Sequence, residues 1–545
     1  MKKHGTINDP IQSYANQHLV MGVINQLGLV DLINNELTWD KKQWKTEPGL
    51  IVAALIVSIL HQRNPLYRLT DYFEQFDTEA IFGEGIKAEN FNDDILGRVL
   101  DRISDVGVNK LFSAISLRVT LGEKIETSSF HADTTSINVW GEYLQVAKNG
   151  FKLAHGHSKD GHPELKQFLC GMIVNQEGIP LACDILSGNT SDKEWNEKTL
   201  KEIDHMITGY GNVPYIADSA LVTKKNLKLI GQKQLSFISR SPSTFSVTEN
   251  LKERAWDINT WHDLPTYSTA KHPTIYGYQE FVEQIDGYDY RFIVVKSSHL
   301  EARKEKTIAK RLKKEREELD KLAKELSKNE FACETDATAT LASILEKNKK
   351  ALHELTGNVE SVIKRKRGRP GKNDVDLPLI YKINLSIQEP TVEKMTLIKA
   401  KAATFVLITN LLDNETWPAH AVLCEYKEQQ TVERKFKILK DPKLLDAIFL
   451  KKPERIQALS MILVTAVLIY SIIERRVRRA LKEANRGFDT SYRGVLTNPT
   501  GSVLLSLLTN RIYTIKFSEN GVTKRYVSKP DKIAADIFQL ANVEY

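Results

Sequence analysis

The period of the apolar pattern changes near residue 128, and that change restricts the chain to a mixed fold of helices and strands. Before it, HLVMGVINQLGLVDLI, PGLIVAALIVSILHQ and NDDILGRVLDRISDVGVNKLFSAISLRV place apolar residues every three or four positions, the spacing of a buried helix face. After it, SFHADTTSINVWG is β-branched and alternating, and FLCGMIVN and IPLACDIL follow, joined through QEG. These segments read as three consecutive strands, the last two forming a hairpin. DKEWNEKTLKEIDHMI then predicts a helix, VPYIADSA a strand, KKNLKLIGQ a helix and LSFISRS a strand. Three strands followed by alternating helix and strand describe a mixed α/β sheet. Residues 1–122 are expected to form an all-helical N-terminal domain, which either presents a DNA-binding helix-turn-helix or simply builds a core.

The rhythm stops after Ser241, and residues 243–401 read as an insertion. TIYGYQEFVEQIDGYDYRFIVVKSS suggests β hairpins. ARKEKTIAKRLKKEREELDKLAKELSK is charged except for Ile308, Leu312, Leu319, Leu322 and Leu326, close to heptad spacing, and TATLASILEKNKKALHELT follows. A helical hairpin or short coiled coil is expected there. The KRGRP segment at 366–370 resembles an AT-hook, whose arginines, here Arg367 and Arg369, enter a narrow A·T minor groove of concentrated negative potential. A solvated basic linker is the alternative. ATFVLITN at 403–410 restores a strand and PAHAVLCEYKEQQTVERKFKILKDP a helix. The interrupted core is therefore expected over 123–242 and 402–485, with a C-terminal helix and hairpin region over 486–545.

Bulk properties narrow the class. A chain of 545 residues calls for several modules or a core with insertions, and 76 Lys and Arg against 69 Asp and Glu, a formal charge of +7, suit a polyanionic partner without demanding one. Cys170, Cys183, Cys333 and Cys424 form no CxxC pair, which argues against a zinc ribbon and suits a reducing cytoplasm. The N-terminal stretch lacks the apolar segment of a secretory signal. The apolar run at 459–473 is shorter than the roughly 20 residues that span a bilayer and reads as a buried helix, so no membrane is expected.

The candidate chemistry lies in three acids. Asp133 falls in the first strand of the α/β region and Asp218 at the end of the strand after the first crossover helix. Alone, each could be a turn or cap residue. In the helix predicted over 419–440, Tyr426, Gln429, Glu433 and Lys440 follow at intervals of 3, 4 and 7 residues and share one face. Here the chain resembles the DDE transposases of bacterial insertion sequences with the signature Y-x2-R-x3-E-x6-K, an IS-four-like superfamily. Gln429 stands at the arginine position, so the grip on phosphate is expected to weaken or to move to Arg434 or Lys435. ADTT and IADSA provide the context of the first two acids, 85 and then 215 residues separate the three acids, and the GHSKD loop is similar to one near the active site in that group.

The resemblance implies an RNase H-like catalytic core with a large insertion between the second Asp and the Glu. It implies a metal-dependent endonuclease and strand transferase in which Asp133, Asp218 and Glu433 hold two Mg²⁺ (or Mn²⁺) ions. Carboxylate oxygens suit these hard ions, and two of them activate the attacking oxygen and stabilise the leaving one at phosphorus. Lys440 would hold a DNA phosphate and Tyr426 would lie near the cleaved strand end. The implied partners are double-stranded DNA, at terminal inverted repeats and at a target, and a second copy in a homodimeric synaptic complex, in the bacterial cytoplasm at the nucleoid. Asp184 and Asp192 are the substitutes should Asp133 or Asp218 fail. Another RNase H-like nuclease or integrase, or a catalytically silent DNA-binding descendant, are the alternatives. His131, His155, His157 and His162 could suggest zinc, but without a cysteine pair they read as a polar loop and are not assigned as ligands.

Overall fold

The apolar repeats of the first 122 residues fold as α1 (Ala15–Gln26), α2 (Leu29–Glu36), α3 (Pro48–His61), α4 (Asp93–Val106) and α5 (Val108–Gly122). Local chemistry sets their starts. Pro48 opens α3, where no amide partner is lost. Asn92 caps α4 by accepting from the Ile95 N–H at 3.0 Å, and Asp93 and Asp94 face the positive end of the helix dipole. This computed structural model describes residues 6–7, 12–13, 15–42, 44–62, 64–203, 213–264, 274–300, 302–364, 379–441, 450–490, 494–519 and 522–545.

Next come β1 (Phe130–Val139), β2 (Lys166–Asn175), β3 (Pro180–Ser187), α6 (Asp192–Glu202), β4 (Tyr215–Ala217), α7 (Lys224–Lys233) and β5 (Phe237–Arg240). They are followed by α8 (Ser246–Ile258), β6 (His262–Leu264), β7 (Tyr276–Ile285), β8 (Tyr288–Ser297), α9 (Ala302–Leu326), α10 (Glu334–Lys347), β9 (Glu354–Ile363), β10 (Leu379–Gln388), α11 (Val392–Ala403) and β11 (Phe405–Thr409). The chain ends through α12 (Ala419–Lys427), α13 (Gln430–Leu439), α14 (Pro453–Glu483), α15 (Gly501–Leu508), β12 (Tyr513–Glu519), β13 (Val522–Val527) and α16 (Lys532–Leu540). Two compact units result: Met1–Arg240 with Asp286–Tyr288 and Thr409–Tyr545, and Ser241–Ile285 with Asp289–Ile408.

In the first unit the strands run in the order β3-β2-β1-β4-β5. β1, β2 and β3 pair antiparallel, whereas β1, β4 and β5 are parallel, joined through crossovers that contain α6 and α7. α6 packs closely because Gly171 of β2 has no side chain: a Cβ there would stand 2.5 Å from the Trp195 ring. One continuous core joins α1 to α5, the β2 and β3 side chains, α13 and the C-terminal helices around α14. The apolar run expected as a buried helix is part of α14. Among the described residues it alone is long and apolar enough by itself to cross a membrane, and its apolar window is wholly buried.

In the second unit β9 and β10 form an antiparallel ribbon, with Glu354 opposite Gln388 and Ile363 opposite Leu379. α10 packs Ala337, Leu341 and Leu345 onto Val359, Tyr381, Ile383 and Leu385 of this ribbon, and α9 packs on β10. This corrects the coiled-coil expectation: the apolar stripes of both helices are taken up by a ribbon whose two strands are apart in sequence. The second helix stops at Lys347, and Glu354–Thr356, expected as helix, begin β9. Arg367 and Arg369 lie outside the described residues.

Candidate active site

β4 ends beside the first part of β1, which continues along β2. The last paired residues of β1 and β4 are Ala132 and Ala217, so Asp133 and Asp218 occupy the next position along neighbouring parallel strands, which lie about 4.8 Å apart. Asp218 caps the short turn Ser219–Leu221 by accepting from the Ala220 N–H at 3.0 Å, and its carbonyl accepts from the Ser239 hydroxyl of β5 at 2.8 Å. Asp133 accepts from the Thr134 N–H at 2.7 Å. Glu433, on α13, lines with Asp133 an open cleft of about 810 Å³, along with Thr134, Lys159, Asp160 and Lys440.

Two further charged residues join this cluster. Ser191 and Glu194 form a capping box, with Ser191 Oγ accepting from the Glu194 N–H at 3.3 Å and Glu194 accepting from the Ser191 N–H at 2.9 Å. That box places Asp192 in the first turn of α6, where it accepts from the Thr134 hydroxyl at 2.5 Å. Lys159 comes from the GHSKD loop. Gly156 lets this loop close on the backbone of Gly188, since a Cβ would stand 2.0 Å from that carbonyl, and Lys159 N–H donates to Ser136 Oγ at 3.0 Å. The Lys159 ammonium donates to the Thr134 carbonyl and hydroxyl, both at 2.7 Å, and lies 3.1 Å from Asp192 and 3.8 Å from Asp133. Lys159 was not singled out in the sequence, and Asp192 only as a substitute. The usable signal was a lysine inside the GHSKD loop and an acid directly after a capping serine.

The electrostatics record crowding of negative charge. Burial pushes the Asp133 carboxyl up to about 7, reinforced by Asp218 and Asp192 and opposed by Lys159 and the Thr134 N–H. Burial also raises Asp218, with Asp192 adding to it and the Ala220 N–H and Lys159 opposing. Tyr426, on α12, feels all three sequence-selected acids: burial pushes its phenol up to about 12, Asp218, Glu433 and Asp133 push the same way, and Arg240 opposes.

The helix expected over 419–440 is two helices, α12 and α13, meeting at Glu428 and Gln429. The Gln429 side chain explains how the junction sits against the sheet: it is 8% exposed, and its Nε2 donates to the Ala132 carbonyl at 2.8 Å. Gln429 therefore holds the strand next to Asp133 instead of reaching toward a phosphate. Lys435 likewise faces inward, 5% exposed and 3.1 Å from Glu474 of α14, while Arg434 is exposed. Lys440 donates to both oxygens of Asp160 at 2.7 Å.

The other candidates have structural duties. Asp184 accepts from Trp195 at 2.9 Å, from Lys198 at 2.8 Å and from Asn109, tying β3 to α6 and α5. His131 is fully buried, with Nε2 3.1 Å from Glu425 of α12 and 3.0 Å from Ser129. His155, His157 and His162 are exposed, and His162 pairs with Glu164.

Among the described residues no three acid, histidine or cysteine side chains stand close enough to hold one ion as placed. The donor set nevertheless suits a hard cation, because Asp133 and Asp218 bring carboxylate oxygens whose burdensome charge already draws in the Lys159 ammonium.

Comparison with known families gives two matches. Residues 11–117 match a domain of unknown function (DUF4277), and residues 133–469 match the family described as transposase DDE domain. No curated protein matches the chain. Transposases of this family act on DNA and typically use divalent metals. Since the second match opens at Asp133 and covers more than half of the 545 residues, the chain belongs to the transposase DDE-domain family.

Proposed function

We propose that the protein is the cut-and-paste transposase of an insertion sequence in the IS-four-like superfamily. It cleaves the terminal inverted repeats of its own element and joins them to target DNA from an RNase H-like core. The observation that carries this reading is the transposase DDE-domain match that opens at Asp133, together with a cleft lined by both Asp133 and Glu433 and with Asp218 on the strand beside Asp133. The strand order β3-β2-β1-β4-β5, with Asp133 and Asp218 each one residue past the last pair between the parallel strands β1 and β4, supports the same core.

Two Mg²⁺ or Mn²⁺ ions held by Asp133, Asp218 and Glu433 would supply the positive charge that activates an attacking oxygen and relieves a leaving one at phosphorus. The chain's own residues do the rest. Gln429 holds the Ala132 carbonyl and so steadies β1 next to Asp133. Lys159 offsets part of the negative charge of Asp133 and Asp192. Lys440 binds a DNA phosphate once Asp160 releases it, the exposed Arg434 offers a further cation, and Tyr426 positions the cleaved strand end. Arg367 and Arg369 read an A·T minor groove. Two ends must be joined in one event, so the working species is a homodimer on DNA at the bacterial nucleoid.

The test incubates purified protein with Mg²⁺ and labelled element-end DNA. Cleavage by the wild type, lost in Glu433→Ala with binding retained, supports the assignment. Binding without cleavage by the wild type would instead make the protein a catalytically silent DNA-binding descendant.

A further inference from the structure

α9 carries a charge pattern that its own packing does not require. Its inward side buries Leu319 and Leu326, half-buries Ile308, Leu312 and Leu322, and packs on β10. The charges nearest that side are satisfied locally. Glu315 accepts from the His353 Nδ1 at 2.8 Å and from two backbone N–H groups, Arg316 pairs with Asp320 at 3.1 Å, and Lys304 donates to the Ala402 carbonyl at 2.8 Å.

The opposite side differs. Lys306, Lys310, Lys313, Lys314, Lys321 and Lys324 are all exposed, and at about 100° per residue they share one face, six lysines to the single exposed acid Glu317 that lies among them. Among the described residues only Lys314 of these six has an acidic partner within 4.0 Å, Glu318 at 3.8 Å. Helix energetics oppose this arrangement. Like charges at i and i+4, as in Lys306 with Lys310 and Lys310 with Lys314, repel. The basic residues also crowd the N-terminal half, where the helix dipole disfavours cations: eight of the fifteen residues 302–316 are Lys or Arg and two are Glu. A stripe that costs helix stability and pairs with little in its own unit is complementary to a polyanion. From Lys306 to Lys324 it runs about 27 Å, the axial length of about eight base pairs of duplex.

We propose that this face of α9 binds the sugar–phosphate backbone of duplex DNA outside the cleavage site, without reading its sequence. The inference rests on the transposase reading for its partner. A second copy of the chain is the weaker fit, because the apolar stripe that a coiled coil would use is already covered by β10.

The test uses the full chain with Lys306→Gln, Lys310→Gln, Lys313→Gln and Lys314→Gln combined. Its control is Lys347→Gln with Lys349→Gln and Lys350→Gln, exposed lysines elsewhere in the same unit. Binding to a random-sequence duplex is measured across a salt series, with circular dichroism to check helicity. The expected result is unchanged helicity, binding weaker by about tenfold or more, and a log–log salt slope shallower by about 2–4, at about 0.9 per lost phosphate contact. The control should change the slope by much less. An unchanged slope, an equal loss in the control, or a change in particle mass by light scattering without a change in DNA binding each overturns the proposal. Mg²⁺-dependent cleavage of a short end duplex, followed in parallel, separates the two ideas. If the wild type cleaves and the stripe variant binds like it, only the surface fails; if the stripe binds but the wild type never cleaves, the catalytic reading fails.

Discussion

Asp133 and Asp218 stand at the same level of two parallel neighbouring strands, one residue past the last paired positions, Ala132 and Ala217. With Asp133 lining the cleft that Glu433 also lines, exchanging either aspartate for asparagine removes charge while keeping shape. Asp133→Asn and Asp218→Asn are each expected to lower metal-dependent cleavage of end DNA by about 10³-fold or more, since each 1.36 kcal/mol of lost charge stabilisation is tenfold in rate. Gel-shift affinity for the same DNA in Ca²⁺ should stay within a fewfold. A variant that cleaves at the wild-type rate removes that residue from the site.

Asp133 also makes stability depend on pH. Its folded value, about 7, lies above the ordinary value of 3.8, so between those limits the folded state keeps a proton that the unfolded state has released. Stability of the metal-free protein therefore falls as pH rises through that window, and the loss is complete above about 7. Asp133→Asn should be more stable than wild type at pH 8 in EDTA, on the order of 1–3 kcal/mol, and the difference should vanish near pH 4. Thermal melts at both pH values decide it; a difference independent of pH contradicts the buried-charge account.

Lys159 ties the GHSKD loop to Thr134 and Asp192. Lys159→Met keeps the aliphatic stem and removes the ammonium, leaving two acids without their nearest cation. Cleavage is expected to drop by about 10–100-fold, the usual cost of losing a group that supports a metal site. Lys159→Arg should recover part of it. Equal loss in both variants would point to the loop's shape and not its charge.

Asp160 occupies both hydrogen-bonding directions of Lys440 that face it. The pair is partly exposed, so it contributes about 0.2–1 kcal/mol at most. Asp160→Asn should therefore tighten end-DNA binding by a fewfold, visible in fluorescence anisotropy at low salt and fading as salt rises. Weaker binding would mean that the contact helps to build the DNA-binding shape.

Gly171 is required by the ring that lies on it. Gly171→Ala would place a Cβ 2.5 Å from the Trp195 ring, and overpacking of this kind costs about 1–3 kcal/mol. Urea denaturation should show the loss, with a shift in tryptophan emission. Wild-type stability would mean that α6 moves freely on the sheet.

Much of the secondary structure was legible because its causes are local. The alternation of SFHADTTSINVWG, the helical pattern of DKEWNEKTLKE and the periodic apolar residues of α4 and α5 each depend on neighbours within a few positions, and each element forms where those patterns lie. Two local readings went astray. The 419–440 segment divides at Glu428 and Gln429, with the Gln429 amide drawn onto β1. Glu354–Thr356, read as helix, pair with β10 instead.

The residue types available for chemistry can be read along the chain: three acids in a recognisable order, a helical signature around Glu433 and a lysine-rich helix. Tertiary structure alone decided their company. Asp133 meets Lys159 only after the intervening loop folds back and stands beside Asp218 only once β1 and β4 pair in register, and its neighbour Thr134 reaches Asp192 only after the β2–β3 hairpin turns α6 onto the sheet. It likewise gave α14 its cover, by wrapping helices from the first 122 residues around an apolar stretch more than 300 positions later. The physical reason is the same in each case. Capping and periodicity are governed by nearest neighbours, whereas the burial that raises Asp133, and the partner that a charge finds, depend on strand register and loop closure across long separations.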